Sequence, residues 1–390
     1  MKFDTVMIAG GGIGGLCAAI ALHQRGINAR VYEAVPQVKP VGAGILLAPN
    51  ALTILARLGL EQEALRCGLR LDELGVDCFG ILDAQGRMLL PGFALQQMRQ
   101  QFGYGLVALA RAELHALLLA ALPDGAVVLG KRIQQLRESA TAVMLSFDDG
   151  STVQETVLIG ADGLRSVVRQ HLFPQVSPQY SGQTSYRGML DWPLAKLGEV
   201  PCAEIWGAQL RVGYTPVSAT RVYWYATRLA PQGEATVDMA QTKIALLERA
   251  ADMPELVQQL IAATPDDLVL RTDISDLPKL PSWHRGRIVL LGDAAHAMTP
   301  NLGQGGCQAI EDGYALAQCL ARATTLEDGF VAFERVRKAR ADQVVATARQ
   351  LGSIVHLGAN WQRSLRNTAL RMLPTRLLGR QTSTIYVVGY

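Results

Sequence analysis

Along the chain the apolar positions switch between continuous runs, a period of two and a helical period, and these switches predict the elements. Val6-Met7-Ile8-Ala9 is a short apolar run that predicts a buried strand. Apolar residues then recur at helical intervals to Gln24, Gly26 supplies a stop, and Ala29 to Tyr32 predicts a second strand. In the next stretch Gly42 and Gly44 predict a turn, with Asn50 as the N-cap of a following helix. Residues 72–90 break into short runs around Gly80 and Asp83-Ala84-Gln85-Gly86, which predicts strands and a turn. Leu106 to Leu122 returns to a helical pattern with Arg111 near its start, and 126–136, 141–147 and 151–159 predict a meander. From Gln175 to Thr272 the pattern is β again, with helix signals only near Asp238 to Ala263. Tyr223 and Tyr225 alternate with Val222 and Trp224, so the two pairs face opposite sides of a strand. One face can wall a flat ligand, with Arg211 reaching in from a neighbouring strand. From Thr325 to Tyr390 the pattern is helical with arginine-rich polar faces.

Composition narrows the class. The chain has 390 residues, 49% of them hydrophobic, enough for two domains sharing a cleft. No apolar run reaches the roughly 18 residues of a membrane span. The first strand begins too early for a signal peptide, which predicts a cytoplasmic protein with scattered, reduced cysteines. Neither cysteines nor histidines show metal-ligand spacing, so no metal is expected. Lys and Arg number 37 against 34 Asp and Glu, a balance of +3 that does not point to nucleic acid. Acidic residues stop at Asp342, while Arg349, Arg363, Arg366, Arg371, Arg376 and Arg380 continue to the end. A solvated helical face explains them most simply; contact with a membrane surface or a lipophilic substrate is the weaker alternative.

Three stretches carry candidate chemistry. In the first, Gly10, Gly12 and Gly15 have G-x-G-x-x-G spacing between the strand and the helix, with Gly14 inside it. Gly10 allows the tight turn, Gly12 lets a pyrophosphate approach the helix N-terminus, and Gly15 lets helix pack on strand. Glu33, at the end of the second strand and followed by Ala34, can accept from a ribose hydroxyl, favouring FAD or NAD over a 2′-phosphate. The second is Leu158 to Arg169, a strand running into Gly160-Ala-Asp162-Gly163 and a helix carrying Arg165 and Arg169. The third is Arg287 to Asp312, where a strand ends on Gly292-Asp293 and a Pro-containing loop leads to Gly303-Gln-Gly305-Gly306 at a helix start. His296 in that loop reads as structural, because no carboxylate sits at a telling spacing. GAVVLGKR before residue 133 is not a P-loop, since Arg132 stands where Ser or Thr would hold magnesium.

Together the three motifs resemble the single-component flavoprotein monooxygenases of the aromatic-hydroxylase type, most closely the urate hydroxylases and the bacterial zeaxanthin-epoxidase-like branch. The resemblance runs to about residue 340. It implies an α/β fold, with a Rossmann-like FAD domain (1–75, 100–175 and 270–345), an inserted β-sheet substrate domain (76–99 and 176–269) and a helical segment at 346–390. It further implies that Gly10, Gly12, Gly14, Gly15, Glu33 and Ala34 hold the ADP half of FAD, with Ile133 beside the adenine. Arg111 would reach the flavin, Asp293 the ribityl chain, and Gly303, Gly305 and Gly306 the pyrimidine edge. Asp162 and Arg165 belong to a motif associated with both FAD and NAD(P)H. Pro300 would sit at the reacting face, and Arg211 and Tyr223 near the substrate. Cys307 departs from the Asn that many relatives carry there.

The implied chemistry is reduction of FAD by NADH or NADPH, addition of O2 at flavin C4a, and transfer of one oxygen atom to an aromatic or heteroaromatic small molecule. Only one G-x-G-x-x-G is present, so the nicotinamide cofactor would bind transiently. A monomer or homodimer is expected. Three alternatives stay open at this point: isoprenoid epoxidation, an NAD-dependent dehydrogenase, and a non-catalytic lipid carrier of the GDI-like kind.

Overall fold

The computed structural model describes residues 5–37, 43–75, 79–90, 95–234, 238–372 and 385–390. Gly42, Cys78, Arg376 and Arg380 lie outside them. The continuous apolar runs become the centre of a six-stranded sheet. Its order is His284–Arg285, Ile288–Leu290, Val157–Gly160, Val6–Ala9, Ala29–Tyr32 and Val127–Val128, parallel except at the first pair. Strands buried on both faces need no polar alternation, which is why Val6–Ala9, Val157–Gly160 and Ile288–Leu290 read as unbroken apolar runs. Helix Ile13–His23 covers the sheet and packs tightly on helix Gly305–Arg322: a Cβ on Gly313 would lie 2.6 Å from the Ala18 nitrogen.

This order has a functional consequence. The strands that open the three motifs are neighbours and run parallel, with Val6 opposite Val157 and Leu158 opposite Ile288. Gly10, Asp162 and Asp293 therefore emerge at one edge, the carboxyl end of a parallel sheet, where such folds bind ligands.

A seven-stranded sheet forms the second body. Its order is Leu270–Asp276, Gln179–Asp191, Arg221–Leu229, Arg211–Pro216, Ala203–Trp206, Gly80–Asp83 and Met88–Leu90. Val222 and Trp224 are buried in a core shared with helices Met239–Arg249 and Glu255–Ala263, and the Trp224 indole donates to Thr264 Oγ1 at 2.8 Å. Tyr223 and Tyr225 take the opposite face, their ring centroids 6.2 Å apart.

Several expectations need correction. The stretch 126–159 is not one meander: Ile133–Glu138, Val143–Phe147 and Thr152–Glu155 form a separate three-stranded sheet, while Val127–Val128 and Val157–Gly160 join the parallel one. Strand Leu270–Asp276 pairs within the seven-stranded sheet, so position 270 does not mark a return to the other body. A boundary at 346 falls inside the continuous helix Leu326–Val355. Asn50 is not an N-cap, because helix Pro49–Arg57 is preceded by Ala48 and the Asn50 side chain is buried against another helix. Among the described residues no helix is long and apolar enough to cross a membrane.

Candidate active site

The first motif builds an open cradle. Gly10 has φ +104°, and a Cβ there would collide with the Ala161 carbonyl and lie 2.9 Å from the Asp162 Cα. Gly15 packs against the Gly10 carbonyl, so turn, helix and neighbouring strand touch through backbone alone. Gly12 immediately precedes helix Ile13–His23, and around its Cβ position no atom comes within 4 Å. Unpaired N–H groups at a helix start, beside open space, suit an anionic phosphate. Glu33 closes the cradle: Oε2 accepts the Gly11 N–H at 2.6 Å and Oε1 that of Val35 at 3.0 Å. Its remaining lone pairs can accept from a ribose hydroxyl. Ala34 is half-buried beside it. His115, which no sequence signal marked, holds the turn from the other side through the Gly11 carbonyl at 2.7 Å.

Gly14 serves packing. A Cβ there would lie 2.9 Å from Leu291 Cδ1 and 3.1 Å from Ala309 Cβ, so its small size lets the helices pack.

The second motif also differs from its sequence reading. Asp162 accepts the Ser166 hydroxyl and the N–H groups of Val167 at 2.8 Å and Val168 at 3.2 Å, which caps helix Val167–Leu172. Burial pushes its pKa up, and these hydrogen bonds oppose that rise. Its carboxylate is engaged in the cap. Arg165 is exposed on the same turn. The buried Arg169 donates to the Leu164 carbonyl at 2.7 Å and the Ala294 carbonyl at 3.3 Å, tying the second motif to the third.

In the third motif, Asp293 is exposed on the first turn of the short helix Asp293–His296. Arg111 begins helix Arg111–Ala120, its N–H bonded to the Ala43 carbonyl at 2.9 Å. Desolvation of its guanidinium lowers its pKa, the Asp293 charge offsets part of that, and Arg187 lowers it further. Pro300 is exposed at the start of the turn Pro300–Leu302, and Gly303 follows with φ +64°. Gly305 and Gly306 open the 18-residue helix Gly305–Arg322; Gly305 has open space, while a Cβ on Gly306 would meet Ile45 Cδ1 at 2.7 Å. Ile133 lies half-buried at the start of its strand, across from Phe147.

Beneath these glycines lies a buried charge network. Asp312 accepts from the Gly292 N–H at 2.9 Å, His296 Nε2 at 2.5 Å and Arg337 Nε at 2.7 Å. Glu311 accepts from Arg337, Asn50 and the Tyr390 hydroxyl at 2.8, 2.6 and 2.8 Å. His296 thus has a carboxylate partner after all, one helix away, and remains inside the fold.

The wall of the seven-stranded sheet completes the site. A Cβ on Gly44 would lie 2.6 Å from the Tyr223 ring, so Tyr223 packs directly on the other body. Arg211 is buried and bonded to Glu204 and Asn301, which places it one residue from Pro300. Glu204, Asn301 and His356 were not singled out in sequence. A lone Glu in the apolar strand Ala203–Trp206 was the available signal.

His356 accompanies Thr227 at 3.2 Å, and burial together with the Arg211 charge lowers its pKa to about 4. A histidine whose folded pKa lies below its unfolded value of about 6.5 favours the folded state only while neutral. Stability from this site should therefore fall as pH drops from about 6.5 towards 4. Urea midpoints across that range should show the fall flattened in His356→Gln; parallel pH curves would contradict it.

Residues 4–348 match the FAD binding domain family. The chain is 35% identical over 382 residues to the aurachin C monooxygenase/isomerase of Stigmatella aurantiaca, covering 97% of this chain and 96% of that one. It is 34% identical to the 2-heptyl-3-hydroxy-4(1H)-quinolone synthase of Pseudomonas aeruginosa, covering 95% and 94%. Among solved structures, Klebsiella pneumoniae HpxO complexed with FAD and uric acid superposes with a TM-score of 0.88 at 30% identity, covering 98% and 96%.

Proposed function

This chain belongs to the family of FAD-dependent monooxygenases built on that FAD binding domain, and from this premise we propose that it hydroxylates a heteroaromatic small molecule. NADH or NADPH supplies the electrons and O2 the oxygen atom. The observation that carries the proposal is the convergence of three adjacent strand ends, with their glycine cradle and Asp293, on the tyrosine-lined wall.

When bound, FAD supplies the oxygen-transfer chemistry, and the protein supplies position, electrostatics and exclusion of water. The Gly12 cradle and the start of helix Ile13–His23 would hold the pyrophosphate, and Glu33 the adenosine ribose. Asp293, exposed beside Arg111, would take the ribityl hydroxyls. The N-terminal N–H groups at Gly305 and Gly306 would face the electron-rich edge of the ring. Pro300 and the Tyr223 and Tyr225 rings would enclose the reacting face, since bulk water promotes side reactions there. With a single dinucleotide motif, NAD(P)H would bind in the open cleft and leave.

Two measurements test this reading. Purified protein should carry or take up FAD, and its NAD(P)H oxidation in air should accelerate with one member of a panel of quinolones, purines and phenols. Protein that cannot be loaded with FAD overturns it. Asp293→Ala should weaken FAD binding by about 1.5–3 kcal/mol, through loss of hydrogen bonds to a charged group. A flavin-fluorescence titration with unchanged affinity would remove Asp293 from the site.

A further inference from the structure

Helix Asn360–Met372 turns its apolar side outward. Trp361, Leu365 and Met372 follow one another at helical spacing, which places them on one face, and they are 67%, 64% and 77% exposed. Two arginines take the other side. Arg366 is buried, donates to the Val355 carbonyl at 2.7 Å and lies over the Trp206 ring at 5.0 Å. Arg363 is half-buried and donates to the Gly358 carbonyl at 2.5 Å. Neither forms the solvated face expected of this segment. The stripe that meets solvent is Trp, Leu and Met.

The surroundings of that stripe are basic. Arg371 is exposed and pairs with Asp83 Oδ2 at 2.7 Å, but Arg87 pairs with the same oxygen at 2.7 Å. Two guanidiniums therefore share one carboxylate. Among the described residues Arg363 and Arg366 bond only to carbonyl oxygens of the backbone, Asn360 and Asn367. Beyond Asp342 the sequence holds no acidic residue to answer them. The stripe is also narrow. Three side chains along about 20 Å of helix offer less than the roughly 800 Å² per partner that a stable protein interface buries. Apolar residues gathered on one face of a basic helix do suffice for a helix lying in the plane of lipid headgroups.

We propose that helix Asn360–Met372 docks this protein on an anionic membrane surface, with Trp361, Leu365 and Met372 entering the headgroup boundary. The helix lies on the bilayer and does not cross it. The Trp361 ring suits that boundary, which accommodates both its apolar body and its N–H. Anionic headgroups answer the surplus guanidinium charge. The helix backs onto the wall of the candidate active site, because Trp206, beneath Arg366, donates its indole N–H to Glu204, the partner of Arg211. Docking needs no turnover and does not depend on the monooxygenase reading.

The test is sedimentation of the purified full-length protein with vesicles of phosphatidylcholine, alone or mixed with phosphatidylglycerol, at low and high salt. The mixed vesicles should carry the protein down, and salt should weaken the binding. Pure phosphatidylcholine should bind it roughly tenfold more weakly or worse. Trp361→Ser/Leu365→Ser should weaken binding to the mixed vesicles by roughly tenfold or more, with an unchanged melting temperature, because both side chains are exposed. If that variant does not fold, Arg371→Gln, which leaves Arg87 to pair with Asp83, should weaken binding roughly fivefold. No sedimentation with the mixed vesicles, equal binding to pure phosphatidylcholine, or unchanged binding in either variant would overturn the proposal. So would a protein dimer that the Trp361→Ser/Leu365→Ser substitutions dissociate, in the absence of vesicle binding, since a second copy would then cover the stripe.

Discussion

Replacing Arg337 by alanine is expected to remove about 3–5 kcal/mol of folding stability, the usual cost of breaking a buried ion pair from one side. Arg337 is fully buried and donates to Asp312 Oδ1 at 2.7 Å, Glu311 Oε2 at 2.8 Å and Gln308 Oε1 at 2.8 Å. Alanine leaves the adjacent buried carboxylates of Glu311 and Asp312 without the guanidinium that bridges them. The loss is comparable with the whole net stability of roughly 5–15 kcal/mol that folded domains possess. Urea unfolding of the FAD-free protein, with soluble yield, measures it; a change below about 1 kcal/mol would contradict the assignment of the network as structural.

The same variant has a pH signature. Burial pushes the Asp312 carboxyl up, but His296 and Arg337 outweigh it and hold the pKa at about 2. A carboxylate held below its unfolded value of about 3.9 stabilises the fold above that pH, and the contribution is lost as pH falls towards about 2. Without Arg337 the acid-unfolding midpoint should move to higher pH.

The second large effect is expected at Gly10. Alanine would need φ +104°, at a strain of roughly 1–3 kcal/mol, and would force its methyl into the Ala161 carbonyl at about 1–3 kcal/mol more. The strands on both sides are locked in register, Ala9 opposite Gly160 and opposite Tyr32, so neither can retreat cheaply. Gly10→Ala should lose both thermal stability and FAD. Gly12→Ala provides the contrast, because no atom lies within 4 Å of its Cβ position. It should melt like the wild type without cofactor and yet bind FAD more weakly, its methyl occupying space needed by the pyrophosphate. Equal behaviour of the two variants would contradict the division of labour between turn and cradle.

The contrast also shows what was legible in the sequence. Glycine spacing reports backbone geometry, which is local, so the turn at Gly10 and the helix start at Gly12 could be read directly. Apolar runs report burial on two faces, so the three motif strands of the six-stranded sheet were legible too. Their adjacency was not, because it depends on the order of strands far apart in the chain. The cap at Asp162 was hidden for a related reason. An Asp-Gly turn before a helix suits a cap as well as a ligand, and only the positions of Ser166, Val167 and Val168 show the cap. Gly14 stands inside a nucleotide motif, yet its space is taken by a helix almost three hundred residues later, at Ala309. Glu204, Asn301 and Arg337 gain their meaning from partners on other elements, and no spacing along the chain announces them.

The most direct test of the account is oxygen labelling. The FAD-loaded enzyme is turned over with NAD(P)H and the best heteroaromatic ligand under 18O2, and the product is weighed by mass spectrometry. The account predicts one added oxygen atom, carrying the label from O2. Product whose new oxygen comes from water, or nucleotide oxidation that never yields an oxygenated ring with any ligand that perturbs the flavin, would contradict it.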